Sequence, residues 1–290
     1  VTQPSILNAL TIDVEEYFHA RRLSRDICFS DWDLLPAQIP QTMEILLETL
    51  NQHKVQVTFF VLGWLAKKYP ALIRSLSRYG HEIASHGYYH QAIDQLSQEA
   101  FYQDLKHSKE CLEDCIGVPV RGYRAPNFSL NQKTPWAWEI LAKAGYTYSS
   151  SVYPIYHDHY GWPDGPRFIM RTPALPVIEI PISTLRFGKV PLPCGGGGYF
   201  RLLPYTYSAK AIRSLNQKEK KPVIFYFHPW ELSSKLPNIG SASWVDRRLT
   251  TLNQGKMHQK LQALLQEFRW GTVFDVLKES LYYPYAYSST

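Results

Sequence analysis

The sequence predicts an α/β fold: a parallel sheet forming a (β/α) barrel or its distorted relative. Short apolar runs rich in β-branched residues alternate about five times with longer amphipathic runs, the rhythm of repeated strand-helix units. Several of the short runs are continuously apolar, as strands covered on both faces are. The chain has 290 residues, 45% of them hydrophobic, which suffices for one large core. No internal repeat is visible, so a single unit spanning 1–290 is the economical reading, with a loop-rich elaboration at about 154–204.

Leu7 to Ile12 reads as the first strand and delivers Asp13-Val14-Glu15-Glu16 at its carboxyl end. An aromatic connection leads to a helix opened by Pro40, with Met43, Leu46, Leu47 and Leu50 at helical spacing. Gln56 to Gly63 reads as a buried strand stopped by glycine. Leu65 to Tyr79 reads as one amphipathic helix ending at Gly80, and His81 to Ser85 as the next strand. Ser97 to Ile116 is a long helix stopped by Gly117, followed by extended chain from Val118 to Arg124. Thr134 to Ala144 is a helix, and Tyr146 to Ser151 a short strand. From Pro154 to Pro204 prolines, glycines and aromatics dominate, with one clear strand at Val177 to Ile180 and four glycines at Gly195 to Gly198. The rhythm resumes with a helix from Ser208 to Asn216 and an apolar strand from Pro222 to Phe227 that ends at His228. A polar insertion from Ser233 to Gly255 precedes a helix from Met257 to Phe268, and Thr272 to Phe274 reads as a last strand before a Tyr-rich end.

Composition narrows the function. Net charge is +6, but Lys and Arg are scattered, so no basic stripe for nucleic acid appears. Aromatics reach 14%, including 20 Tyr and 8 Trp, more than a core needs; their faces suit a groove for sugar rings. Cys111 and Cys115 lie four apart on a helix without a second pair, which fits small helix residues better than zinc. No apolar run approaches the roughly 18 residues of a membrane span, so no transmembrane segment is expected. The amino terminus lacks a basic-then-apolar leader, which predicts a cytoplasmic protein.

The chemistry collects where strands end. Asp13, His86, Arg124 and His228 each close an apolar run, and in a parallel barrel all such ends share one face. His86 and His90, in Ser85-His86-Gly87-Tyr88-Tyr89-His90, are four apart; on a helical turn they share a face and suit one metal. Along a strand, positions i and i+2 point the same way. Asp13 and Glu15 therefore share a side, with Glu15 as the metal's carboxylate ligand and Asp13 as a base beside it. Glu16 faces away and is a candidate cap for a following helix. Glu15, His86 and His90 make a mixed nitrogen and oxygen site; zinc is the default ion, and cobalt, nickel, iron or manganese also fit. Arg124 is placed to pair with Asp13, and His228 to act as general acid. Asn127, after Pro126, is a candidate backbone donor to an oxyanion. A water nucleophile, a carboxylate base and a histidine acid together make a hydrolase of amides or esters. His157-Asp158-His159 is a rival metal cluster, more in keeping with a solvated loop. Glu179 and Glu231 are candidates to shape the groove or hold His228, without a spacing pattern behind either.

These residues resemble the polysaccharide deacetylases of the NodB homology type, carbohydrate esterase family four. Thr11-Ile12-Asp13-Val14-Glu15, Ser85-His86 through His90, Arg124-Ala125-Pro126 and Phe227-His228 are similar to successive family motifs, over about residues 7 to 230. The phrases DVEEYF, SHGYYH, RGYRAPNFSL, GGGGYFRLLPY and FHPWEL resemble most the branch found with exosortase and exopolysaccharide clusters. The resemblance implies a distorted (β/α) barrel, a divalent metal and removal of N-acetyl groups from amino sugars. It makes Asp13 the base, His86 and His90 ligands, Arg124 the residue that tunes the base, and His228 the acid. In one respect the chain departs: the family has adjacent aspartates where this chain has Asp13 and Val14, so Glu15 has to replace the second. The family's later aspartate, near the strand after Gly145, is also missing, with Ser149 or Ser150 in its region. The rival functions are a metal-independent hydrolase of cyclic amides or ureides on the same fold, favoured by Val14, and a carbohydrate-binding protein without catalysis.

Overall fold

The computed structural model describes residues 5–23, 27–157, 160–172, 175–233, 235–237 and 243–282. Among the described residues nine strands form one sheet. In chain order they are Asn8–Val14 (β1), Thr58–Val61 (β2), Glu82–Ser85 (β3), Gly122–Tyr123 (β4), Tyr148–Ser149 (β5), Met170–Arg171 (β6) and Ile178–Glu179 (β7); after a separate hairpin of Thr184–Phe187 (β8) and Val190–Pro193 (β9) come Ile224–Phe227 (β10) and Trp270–Gly271 (β11). Across the sheet the order is β10-β1-β2-β3-β4-β5-β7-β6, and β11 also pairs with β1. All the pairings are parallel except β6 with β7.

The sheet curls without closing, its described ends being β10 and β6. Ser183 spans part of the gap. Its Oγ accepts from the Ile224 N–H at 2.8 Å, and its own N–H donates to the Ile224 carbonyl at 3.3 Å. β1 is buried at every residue, which its NALTIDV sequence provides for: Asn8 and Thr11 satisfy their polar atoms internally while Ala9, Leu10, Ile12 and Val14 fill the core.

The helices are Ile39–Gln52 (α1), Gly63–Lys68 (α2), Pro70–Arg78 (α3), Gln98–Ile116 (α4), Ala137–Lys143 (α5), Gly197–Leu202 (α6), Tyr205–Gln217 (α7), Trp244–Thr251 (α8), Gln254–Glu267 (α9) and Val273–Tyr282 (α10). Ser97 caps α4, its Oγ accepting from Ala100 N–H, and Gly117 ends it in the left-handed conformation.

Three expected elements differ. The helix expected over Leu65 to Tyr79 is two helices, because Pro70 disfavours helical backbone at the residue before it; Tyr69 sits at φ −127°, ψ 55°. The strand expected at Thr272 to Phe274 is the start of α10. Thr272 Oγ1 accepts from the Asp275 N–H at 3.0 Å and donates to its carboxylate at 2.7 Å, a helix cap that outweighs the apolar run. The region 154–204 holds β6, β7, the β8–β9 hairpin and all of α6, more regular structure than the single strand expected there. Asp158, His159 and the Tyr-rich end after 282 lie outside the described residues.

Glu16 turns away from the strand end and serves α1. Its carboxylate accepts from the backbone N–H of Gln38 at 2.8 Å and of Ile39 at 3.0 Å, supplying acceptors that the helix start lacks. Glu16→Ala should therefore lower unfolding stability by about 1–3 kcal/mol. Urea titration should show a lower midpoint at unchanged slope; an unchanged midpoint would mean water replaces the carboxylate without cost.

Candidate active site

The carboxyl ends of β1, β3, β4 and β10 bring the sequence-selected residues to one cavity of about 310 Å³, whose walls include Asp13, Glu15, His86, Asn127 and His228. A larger cavity of about 900 Å³, lined by Leu7, Lys54, His81 and Trp270 among others, lies at the opposite ends of the strands and touches none of these residues.

Arg124 anchors the site. Wholly buried, it donates from Nη1 to Asp13 Oδ1 at 2.7 Å and Thr11 Oγ1 at 2.8 Å, from Nη2 to Ser150 Oγ at 2.8 Å, and from Nε to the Ser150 carbonyl at 2.9 Å. The guanidinium also lies 4.0 Å from the Phe60 ring centroid. Ser150 thus has a definite task in the region where an aspartate was missing.

Glu15 stands between the two histidines: its Oε1 is 2.7 Å from His86 Nε2 and 2.8 Å from His90 Nε2. Strand alternation explains why. Asp13 and Glu15 leave β1 on the same side, while Val14 is fully buried in the core. The histidines do not share a helical turn as expected. Residues 86–91 form a loop, with Gly87 at φ 75° and His90 at φ 51°, and this left-handed backbone folds His90 back toward Glu15. Asp104 of α4 holds that loop, accepting from the N–H groups of Tyr88 and Tyr89 at 3.1 and 3.3 Å.

The donor set fits a divalent cation. His86 Nδ1 lies 2.9 Å from the Arg124 carbonyl, which only accepts, so Nδ1 carries a proton and Nε2 is the nitrogen that faces Glu15. Two acceptors at 2.7 Å need a proton or a cation between them. Donor atoms of Glu15, His86 and His90 all lie within 4.8 Å of one another, as do those of Asp13, Glu15 and His228.

His228 follows β10 directly. Its Nδ1 is 2.9 Å from Glu231 Oε1, its ring lies over Trp230 at 5.3 Å, and its Nε2 is 3.9 Å from Glu15 Oε2. Glu231 also accepts from the His228 N–H at 3.0 Å and from Arg201 Nε at 2.6 Å. A Cβ at Gly197 would overlap the Glu231 carboxylate, which gives the glycine run a reason: α6 can start against that group only without a side chain. Glu179, by contrast, serves the loop after β5, accepting from Ser151 and Val152 N–H and from Trp138 Nε1. Asn127 lies on the cavity wall with its backbone at φ 55°.

Burial by itself would raise the Glu15 carboxyl, but His90, His228 and the hydrogen bonds from His86 and His90 hold it well below its usual range. Burial opposes charge on His228, yet Glu15 and Glu231 raise it to about 9, while Arg201 and His228 outweigh burial at Glu231 and bring it to about 2.

Two family models match the chain in succession: residues 24–149 fit polysaccharide deacetylase, and residues 150–278 fit a domain of unknown function (DUF3473). A peptidoglycan-N-acetylglucosamine deacetylase of Bacillus cereus is 30% identical over 95 residues, 32% of this chain and 34% of that protein. A chitooligosaccharide deacetylase of Azorhizobium caulinodans is 35% identical over 104 residues, 35% of this chain and 46% of that protein. The matches thus span less than half of either relative. A crystal structure of a candidate polysaccharide deacetylase from Mycobacterium smegmatis covers 98% of this chain and 94% of its own, with TM-score 0.61 at 20% identity, which establishes the shared fold. The curled α/β half-barrel is the fold this chain shares with that structure. Residues 24–149 thus resemble the polysaccharide deacetylase family, and the segment matching DUF3473 adds β10 beside β1.

In chelator-treated protein, the His228 imidazolium should titrate near 9, and Glu231→Gln should bring it down by about 1–2 units. Because this pKa is raised above 6.5, the stabilisation it brings is complete below that pH and is lost as pH rises through about 9. Histidine NMR titration and unfolding between these pH values check both; an unshifted His228 in the variant would remove Glu231 as its partner.

Proposed function

We propose that this protein is a metal-dependent hydrolase that removes N-acetyl groups from amino sugars of a polysaccharide or its precursor. The observation that carries the reading is the Glu15 carboxylate held between His86 and His90 Nε2, in one cavity with Arg124-bound Asp13 and Glu231-bound His228. Glu15, His86 and His90 would hold the ion, zinc first among those the set accepts. When bound, such an ion supplies Lewis acidity toward a carbonyl oxygen and acidifies water.

The protein's own groups divide the remaining work. Arg124 fixes the Asp13 carboxylate through Oδ1, so that Asp13 takes a proton from the attacking water as its oxygen joins the acetamide carbon. The carbon–nitrogen bond then breaks. His228, kept protonated at neutral pH, delivers a proton to the departing amine, leaving acetate and a free amino sugar. Asn127, from the turn after Arg124, is the proposed backbone donor to the oxyanion.

The cavity has room for one acetamido sugar, with Tyr160, Tyr199 and Trp230 on its walls to face the ring. The proposed acid lies in the segment matching DUF3473, His86 and His90 in the segment matching polysaccharide deacetylase, and Asp13 and Glu15 before both, which supports one catalytic unit drawn from all three. The case for a metal-independent cyclic-amide hydrolase rested on Val14, whose position Glu15 makes good. A binding groove without chemistry gives no reason to bury an Asp13–Arg124 pair and an Arg201–Glu231–His228 chain. Among the described residues no helix is long and apolar enough to cross a membrane.

Wild-type protein should bind about one equivalent of divalent metal and release acetate from N-acetylated oligosaccharides, and elemental analysis should find the metal lost in Glu15→Ala and His86→Ala. Wild type that takes up no metal would overturn the reading. Asp13→Asn should keep the metal and lose about 10²–10⁴-fold in kcat; retention of full activity would remove Asp13 as the base.

A further inference from the structure

The helix α8 turns its apolar side chains outward. Trp244, Val245 and Leu249 on the helix and Leu252 just after it are 72%, 52%, 41% and 37% exposed, whereas Thr250 is its one buried residue. At helical periodicity these four apolar residues fall within about 140° of one another around the axis, with exposed Arg248 among them. Polar groups take the inner side instead. Arg22 Nη1 lies 3.4 Å from Asp246 Oδ1, Ser243 Oγ donates to the Asp246 carboxylate at 2.7 Å, and Thr250 Oγ1 donates to the Asp246 carbonyl at 2.7 Å. A surface helix ordinarily has the reverse arrangement.

This face adjoins the cavity of the proposed active site. Leu249 and Thr250 are part of the cavity wall, together with Arg21, Arg22 and a further exposed leucine, Leu202 of α6. The end of α8 is tied to the partner of the proposed acid: Arg201 donates from Nη1 to the Leu252 carbonyl at 2.8 Å and from Nε to Glu231 at 2.6 Å. The helix is thus fixed beside the site with its apolar face to solvent, and contiguous exposed apolar side chains of this kind mark an interaction surface. Charge along it is positive. Arg247 and Arg248 outnumber Asp246 on α8, and Asp246 is matched by Arg22 from outside it. Arg248 lies 6.0 Å from the Trp244 ring centroid, so a guanidinium and an aromatic ring are presented together.

We propose that α8 docks the protein on an anionic bilayer surface, with Trp244, Val245, Leu249 and Leu252 entering the headgroup layer and Arg248 meeting lipid phosphates. Charge favours lipid over a second copy of the chain. A two-fold dimer through this face would set the arginines of one α8 against those of the other, whereas an anionic surface complements them. Trp and Arg on one outward helix face also suit the membrane interface, where an amphipathic ring and a cation both find partners. On the deacetylase reading, docking sets the cavity at the bilayer, where sugars carried on lipid are presented; the docking itself rests on α8 alone.

Flotation of the full chain with lipid vesicles tests the proposal. Wild type should bind vesicles of equal parts phosphatidylcholine and phosphatidylglycerol, release them as salt rises, and bind pure phosphatidylcholine about 10-fold more weakly or less. The double variant Trp244→Ser, Val245→Ser should lower partitioning onto the anionic vesicles about 10-fold or more. Arg248→Glu leaves the apolar side chains in place and should lower it about 3- to 10-fold, so charge is tested independently. All three residues are exposed, and the unfolding midpoint of each variant should match wild type. Wild type that stays unbound at low salt, equal binding to both kinds of vesicle, or variants that partition like wild type would overturn the proposal. A dimer in light scattering that the double variant converts to monomer, with no vesicle binding, would assign the face to a second copy and overturn it too. Acetate release plays no part in this readout, so failure of the deacetylase reading leaves the vesicle result standing.

Discussion

The buried guanidinium of Arg124 is the constraint on which the site depends. A cation removed from water is tolerated only when charge and hydrogen bonds replace the solvent, and here the replacements come from different strands. Asp13 and Thr11 belong to β1, Ser150 follows β5, and the Arg124 carbonyl receives His86 from the end of β3. One side chain therefore fixes the proposed base, and its own backbone sets which nitrogen of a proposed ligand histidine carries a proton. The geometry of the proposed acid and base is linked through the sheet as well, since Ile12 pairs with Phe227 and the next residues are Asp13 and His228.

Much of this was legible because burial writes a simple pattern. Continuous apolar runs gave the strands, and reactive residues at their ends gave the face where they meet. The i, i+2 rule separated Asp13 and Glu15 from Glu16, and the capping alternative weighed for Glu16 describes what it does at α1. The less legible features depend on local competition. Pro70 splits a helix that periodicity alone carries through, and the Thr272-x-x-Asp275 cap turns an apolar triplet into a helix start. Both signals were present in the sequence, masked by hydrophobic spacing that suited either reading.

The site contains groups of a different kind, visible only in three dimensions. His86 and His90 converge through left-handed backbone, not through a helical turn, so the structure brings the pair together for a different geometric reason than their spacing suggested. Glu231 sits three residues after His228, but nothing in the sequence tells a carboxylate that folds back from one that faces water; Arg201 and the close approach at Gly197 decide it. The unpaired state of His19 Nε2 among the described residues is still less visible, being a property of surroundings and not of sequence.

The place of β10 beside β1 has a consequence for how the molecule is made. β1 lies near the amino terminus, yet one of its ladders is completed by residues such as Tyr226, which pairs with Thr11. Contacts of such long sequence separation form late and slowly. A growing or shortened chain lacking β10 has the base and all three proposed ligands but a bare β1 edge of unpaired N–H and C=O groups, a template for pairing with other chains. The strand that brings the acid also covers that edge, so completing the proposed active site and protecting the chain from aggregation are one folding event.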